Sequence, residues 1–183
     1  MKKIAILFSG KGSNFAHIVE TLHKKEVEIV VAITNNPNAE GIKIAKTASI
    51  PIVVIDSKKY MDREVFDKLV VEELQRYEPD LAVLAGFMRI LTPIFTESIN
   101  AINLHPSLLP RHKGLHAIEN SYNDIYDEGG VSVHYVSSEL DGGEIILQKS
   151  IKKEEKTLEI YTKTVQALEK ELLAEAIKIV LHK

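Results

Sequence analysis

The sequence predicts a single-domain α/β fold over residues 1–183, Rossmann-like, with a mainly parallel, twisted, seven-stranded sheet carrying helices on both faces. Three observations lead there. Short apolar runs alternate with longer segments of helical period from the first residues onward, the pattern of βαβ units. The first run ends in a glycine-rich turn, Ser9 to Asn14, that opens a helix. At 183 residues the chain is long enough to cover both faces of a parallel sheet, and no internal repeat, low-complexity tract or Pro/Gly/Ser-rich linker divides it.

The first strand is expected over 3–8, and a helix over 14–24 follows the glycine turn. A strand over 29–34 leads into a helix over 41–48, and one over 52–55 into a helix over 62–77. In that third helix Val65, Leu69 and Leu74 are expected to share the buried stripe. Pro79 follows its end, where the missing N–H can no longer continue the ladder. A strand over 81–84, a short helix over 93–98, a strand over 101–105 and a helix over 115–126 come next. Strands over 131–136 and 145–151 precede a long helix over 157–181. On that helix Tyr161, Val165, Leu168, Leu172 and Ile179 or Val180 recur at helical spacing, a face that has to pack on the sheet. The charge run from Lys152 to Lys156 reads as a solvated connection.

Composition narrows the chemistry. An apolar fraction of 45% with 27% charged residues needs no disordered, fibrous or membrane reading. The absence of cysteine removes disulfides, thiolate zinc sites and cysteine nucleophiles, leaving histidine, carboxylates and hydroxyls. Met1-Lys2-Lys3 runs into only five apolar residues before Ser9, too few for a signal segment or membrane span, so a cytoplasmic protein with no membrane partner is expected. A net charge of −3 without a basic stripe argues against a nucleic-acid partner but leaves room for a small anion. Monomer and homodimer both stay open.

Ser9-Gly10-Lys11-Gly12-Ser13-Asn14 has the geometry in which first-turn N–H groups and the helix dipole favour an anion. The dinucleotide fingerprint fails, because Phe15 stands where a third glycine belongs and Asn35-Asn36 follow the second strand in place of an acid. No Gly-Lys-Ser/Thr closes a Walker loop either. Taken alone, the loop reads equally as a phosphate cradle or as a glycine turn capped by Ser13 or Asn14.

Asn103 and His105 lie two apart on a predicted strand, so their side chains share one face and can act on one ligand atom. Pro106 helps end that strand, placing the pair at the carboxyl edge where open parallel sheets bind ligands. Pro106-Ser107-Leu108-Leu109-Pro110 should form a rigid loop, with a cis Leu109-Pro110 bond as a hypothesis. Ser132 and His134 repeat the two-residue spacing, and Leu140-Asp141-Gly142-Gly143 supplies a tight loop able to bring Asp141 toward the sheet edge. His134 reads as a supporting, hydrogen-bonded strand histidine. Asp141 in isolation reads as a turn residue. Seven histidines give no helical pair with an acidic partner, so no bound metal is expected.

Four segments in order, Ser9 to Asn14, Ala85-Gly86-Phe87-Met88-Arg89-Ile90-Leu91, Asn103-Leu104-His105-Pro106-Ser107-Leu108-Leu109-Pro110, and Ser132-Val133-His134 with Leu140 to Gly143, resemble the phosphoribosylglycinamide formyltransferases of the folate-dependent formyltransferase family. The resemblance implies transfer of a formyl group from the co-substrate 10-formyltetrahydrofolate to the amine of phosphoribosylglycinamide in purine synthesis, with small molecules as the only partners. It implies that Gly12, Ser13 and Asn14 hold the substrate phosphate and that Glu169 meets the ribonucleotide. Arg63, Met88, Arg89, Ile90 and Leu91 would border the folate. Asn103 would donate to the oxyanion, His105 would act as hydrogen-bond donor and general acid, and Asp141 would assist proton transfer, with Ser132 and His134 in support. The chain departs from the pattern at Arg111-His112-Lys113, where relatives often carry an aromatic residue or proline, and it stops soon after the last helix where some members continue. Two alternatives are a formyltetrahydrofolate hydrolase-like enzyme and a non-catalytic phosphate-binding sensor. Hydrolases show His-His where this chain has His105-Pro106, and a sensor has no need of Asn103, His105 and Asp141 together.

Overall fold

The computed structural model describes residues 1–182. In chain order its elements are β1 (Lys2–Phe8), α1 (Ser13–Thr21), β2 (Val27–Thr34), α2 (Gly41–Thr47), β3 (Ile52–Val54), α3 (Arg63–Tyr77), β4 (Leu81–Leu84), α4 (Pro93–Thr96), β5 (Ala101–His105), α5 (Ala117–Asn123), β6 (Glu128–Tyr135), β7 (Ile145–Lys152) and α6 (Leu158–Leu181). Every expected strand and helix is present. A single 3-10 turn, Ser57–Lys59, is added, capped by the Asp56 carboxylate on the Lys58 N–H. The strands form one seven-stranded sheet in the order β3-β2-β1-β4-β5-β6-β7. β1 runs parallel to β2 and β4, β2 parallel to β3, and β6 antiparallel to β7. The chain gathers into two compact units, Met1–Ile102 and Asn103–His182.

In the first unit Ile4 to Phe8 of β1 and all of β4 are buried at every position. Uninterrupted burial means that both faces are covered, which is why these strands read as continuous apolar runs without alternation. Phe15 and Ile18 turn α1 onto this layer, and the Phe15 ring stacks on Phe8 at 5.4 Å. α3 starts on Asp62, whose carboxylate accepts the Glu64 N–H at 2.8 Å, and ends on left-handed Glu78 before Pro79. Its buried face corrects the expected stripe. Val65 is exposed and Leu69 half-buried, while Phe66, Asp67, Val70, Val71 and Leu74 point inward. The reason is Asp67: its Oδ2 accepts both the Thr92 N–H (2.6 Å) and the Thr92 hydroxyl (2.7 Å) at the start of α4, so a carboxylate occupies a core position that apolar periodicity skips.

In the second unit α6 packs on β6 and β7, starting on Thr157, whose hydroxyl accepts the Ile160 N–H at 3.2 Å. Tyr161, Val165, Leu168 and Leu172 are buried as expected. Toward its end, burial runs through Leu173, Ala176 and Ile177, and Ile179 and Val180 are only half-buried. α5 is shorter than expected because left-handed Gly114 and His116 delay its start and the extended Asp124 stops it.

Candidate active site

The carboxyl end of β5 presents Asn103 and, two residues on, His105. Within the same unit β6 contributes Ser132 and His134, and the following turn contributes Asp141. Asn103 Nδ2 donates to Asp141 Oδ1 at 3.3 Å and lies 3.3 Å from His134 Nε2. His105 Nδ1 is 3.4 Å from Asp141 Oδ2, and His134 Nε2 is 3.5 Å from Asp141 Oδ1. The Gly114 N–H donates to Asp141 Oδ2 at 2.8 Å. Asn103, His105, His134 and Asp141 therefore form one cluster, with His105 6% and Asp141 8% exposed. Burial on its own would raise the Asp141 carboxyl. The His134 hydrogen bond, the Gly114 amide and the neighbouring imidazoles outweigh it and hold the group below the usual carboxylate range.

The turn that delivers Asp141 depends on close approach. Asp141 itself adopts the left-handed conformation (φ 49), whereas the glycines answer a steric need: a Cβ on Gly143 would sit 1.7 Å from the Tyr135 carbonyl oxygen. His134 Nδ1 donates to that same carbonyl at 2.8 Å, which leaves Nε2 to face Asn103 and Asp141.

The loop after His105 is pinned to β6. The Ser132 hydroxyl donates to the Ser107 carbonyl (2.6 Å) and accepts the Leu109 N–H (3.1 Å), and Gln148 Nε2 donates to Ser132 Oγ and the Leu109 carbonyl, each at 2.9 Å. Leu109-Pro110 is cis, as hypothesised. Sequence reasoning missed Gln148, because its partnership with Ser132 follows from the β6/β7 register alone. It also missed His112, whose backbone carbonyl accepts the His105 Nε2 hydrogen at 2.7 Å.

In the first unit the glycine loop is built on a left-handed Gly12 (φ 75), where a Cβ would come 3.0 Å from the Gly41 backbone and the Ile44 side chain. Gly12 is the N-cap of α1 and no side chain caps it, so the turn capped by Ser13 or Asn14 is not what forms. Ser13 and Asn14 lie in the first helical turn, where N–H groups have no intrahelical acceptor. Ser9 Oγ donates to Asn35 Oδ1 at 2.5 Å and accepts the Met88 N–H at 2.8 Å, tying the glycine loop to the 88–91 segment. In that segment Met88 and Ile90 are exposed, Leu91 is half-buried and the Arg89 guanidinium lies 4.5 Å over the Phe66 ring. Arg63 opens α3, exposed. Glu169 sits half-buried on α6. Burial pushes its carboxyl up to about 7, the Lys170 charge offsetting little of this. Among the described residues no group of three or more His, Asp or Glu side chains is arranged to hold a metal ion, and no helix is long and apolar enough to cross a membrane.

The formyl transferase family model matches residues 2–177. The chain belongs to the formyl transferase family. Among its relatives, the phosphoribosylglycinamide formyltransferase of Haemophilus influenzae is 39% identical over 155 residues, covering 82% of this chain and 73% of that protein. The Escherichia coli protein of the same name is 38% identical over 152 residues, 81% of this chain and 72% of its own length. The crystal structure of phosphoribosylglycinamide formyltransferase from Campylobacter jejuni superposes with a TM-score of 0.96 at 47% identity, covering 98% of this chain and 97% of that one. The resemblance carried by the four sequence segments is borne out, as is the α/β class of this formyl transferase, an enzyme by its family.

Proposed function

We propose that this chain transfers the formyl group of 10-formyltetrahydrofolate to the amine of phosphoribosylglycinamide, a step of purine synthesis on small-molecule substrates in the cytoplasm. The observation that carries the reading is the meeting of Asn103, His105 and Asp141, in a formyl transferase whose relatives bear that enzyme's name. In this reading Gly12, Ser13 and Asn14 bind the phosphate and Glu169 the ribonucleotide. Arg63 and Met88 to Leu91 border the folate.

Attack of the neutral amine on the formyl carbon forms a C–N bond and a tetrahedral centre with an oxyanion and a cationic nitrogen. Asn103 Nδ2 donates to the oxyanion. Asp141 accepts the proton lost by the amine, directly or through one water. His105 Nε2 is committed to the His112 carbonyl, so the hydrogen passed to the leaving folate nitrogen comes from Nδ1, the nitrogen beside Asp141. As the bond between that nitrogen and the formyl carbon breaks, Asp141 returns its proton to His105. The cycle closes with one proton moved from amine to folate and no covalent enzyme intermediate.

The test mixes the protein with 10-formyltetrahydrofolate and a panel of phosphorylated amines and follows the absorbance of the deformylated folate. Product should form with phosphoribosylglycinamide and be lost with His105→Ala. Folate turnover without any amine would support the hydrolase instead, and no turnover with any amine would support the sensor.

A further inference from the structure

In the loop that follows the cis Leu109-Pro110 bond, the Arg111 and His112 side chains converge on one carboxylate. His112 Nε2 is 2.7 Å from Asp124 Oδ2 and Arg111 Nη1 3.5 Å from the same oxygen. Lys153 Nζ lies 2.6 Å from Oδ1, which also accepts the Tyr126 N–H at 3.0 Å. The Asp124 side chain is 11% and that of Lys153 10% exposed, so this is an enclosed hub. Its other contacts reach outward: Lys153 donates to the Ser121 carbonyl at 2.8 Å at the end of α5, and Arg111 donates to the Glu128 carbonyl at 3.1 Å with its guanidinium 4.2 Å over the Tyr126 ring.

The hub holds an unfavourable backbone. His112 is left-handed (φ 55), a conformation that a β-carbon disfavours unless its surroundings enforce it. In that conformation the His112 carbonyl accepts the His105 Nε2 hydrogen at 2.7 Å. A carbonyl can only accept, so the contact commits Nε2 as a donor and leaves Nδ1 as the nitrogen able to gain and lose a proton.

We infer that Asp124 is a positioning residue for His105: by gathering His112, Arg111 and Lys153 it fixes the His112 carbonyl on Nε2 and reserves Nδ1 for exchange with Asp141. The inference rests on the catalytic reading of His105 given above.

The experiment compares the parent with Asp124→Asn, which keeps an acceptor for the Tyr126 N–H and loses the charge, and with Lys153→Gln and Lys153→Arg. Steady-state rates with both substrates are measured alongside the ring nitrogen NMR signals of His105. Asp124→Asn and Lys153→Gln should lower kcat roughly tenfold or more with both KM values within about twofold, the scale of a misplaced catalytic group. The His105 Nε2 signal should move, and Lys153→Arg should restore both readouts. Should Asp124→Asn fail to fold, Lys153→Gln with its arginine rescue carries the test. His105 signals that stay in place in a folded variant overturn the proposal whatever turnover does. Signals that move while that variant and His105→Ala both turn over at the parent rate uphold the clamp and overturn the catalytic role of His105 instead.

Discussion

Replacing Glu169 by glutamine should stabilise the protein above neutral pH while weakening substrate binding. A carboxyl raised from 4.5 to about 7 is one whose ionised form the fold disfavours, by about 3 kcal/mol. Burial is the cause, with Lys170 opposing it weakly. The sign follows from linkage: below pH 4.5 the group is protonated folded or unfolded and imposes no penalty. Between pH 4.5 and about 7 the unfolded chain releases the proton while the folded one keeps it, so stability falls across that window and levels off once the folded carboxyl ionises. Glutamine holds the neutral shape at every pH. Urea unfolding at intervals between about pH 4 and pH 8 should show parent and Glu169→Gln nearly equal at the acid end and the variant more stable by up to about 3 kcal/mol at the alkaline end. In the same variant the KM for the ribonucleotide should rise, since the proposed reading sets Glu169 against that substrate. Parallel stability curves across this range would refute the reasoning.

Other outcomes are as definite. Acid unfolding of the parent should show a loss of about 2 kcal/mol as pH falls from 3.8 to about 2, because Asp124, despite the opposing effect of burial, is held low by Lys153, His112 and the Tyr126 amide. A stability curve for Asp124→Asn that keeps that step would contradict the assignment. Ser132→Ala leaves the buried Leu109 N–H without its acceptor and should cost about 1–3 kcal/mol in urea unfolding, with a lowered kcat because the loop following His105 loses its pin. Phe15→Ala, which empties a fully buried site stacked on Phe8, should cost about 3–5 kcal/mol by the same measurement and weaken phosphate-dependent substrate binding through the glycine loop.

Local signals in the chain were sufficient for the elements. Ile4 to Phe8 and Leu81 to Leu84 are continuous apolar runs because their strands are buried throughout, and Asp62 with Pro79 brackets α3 by capping and by the missing N–H. Apolar spacing does not fix the rotation of α3: it puts Val65 inside, whereas Val65 is exposed and Asp67 faces inward to hold Thr92. The same limit governs the site. Two-residue spacing on a strand placed Asn103 beside His105, and Ser132 beside His134, from the pleat alone. That Asp141 reaches His105 depends on a left-handed residue and a glycine pressed against the Tyr135 carbonyl, which sequence suggests without fixing. The Asp124 hub joins residues separated by 12 to 29 positions, and no local pattern announces it.

In the proposed reaction Asn103 is a donor that matters only when the oxyanion forms. Single-turnover formyl transfer by Asn103→Ala, with saturating 10-formyltetrahydrofolate and phosphoribosylglycinamide, tests this most directly. Loss of one preorganised donor is worth about 3 kcal/mol, so the rate should fall roughly 100- to 1,000-fold with the dissociation constants of both substrates nearly unchanged. A rate within a few-fold of the parent would show that the carbonyl does not meet Asn103, and the catalytic assignment of the cluster would fall with it.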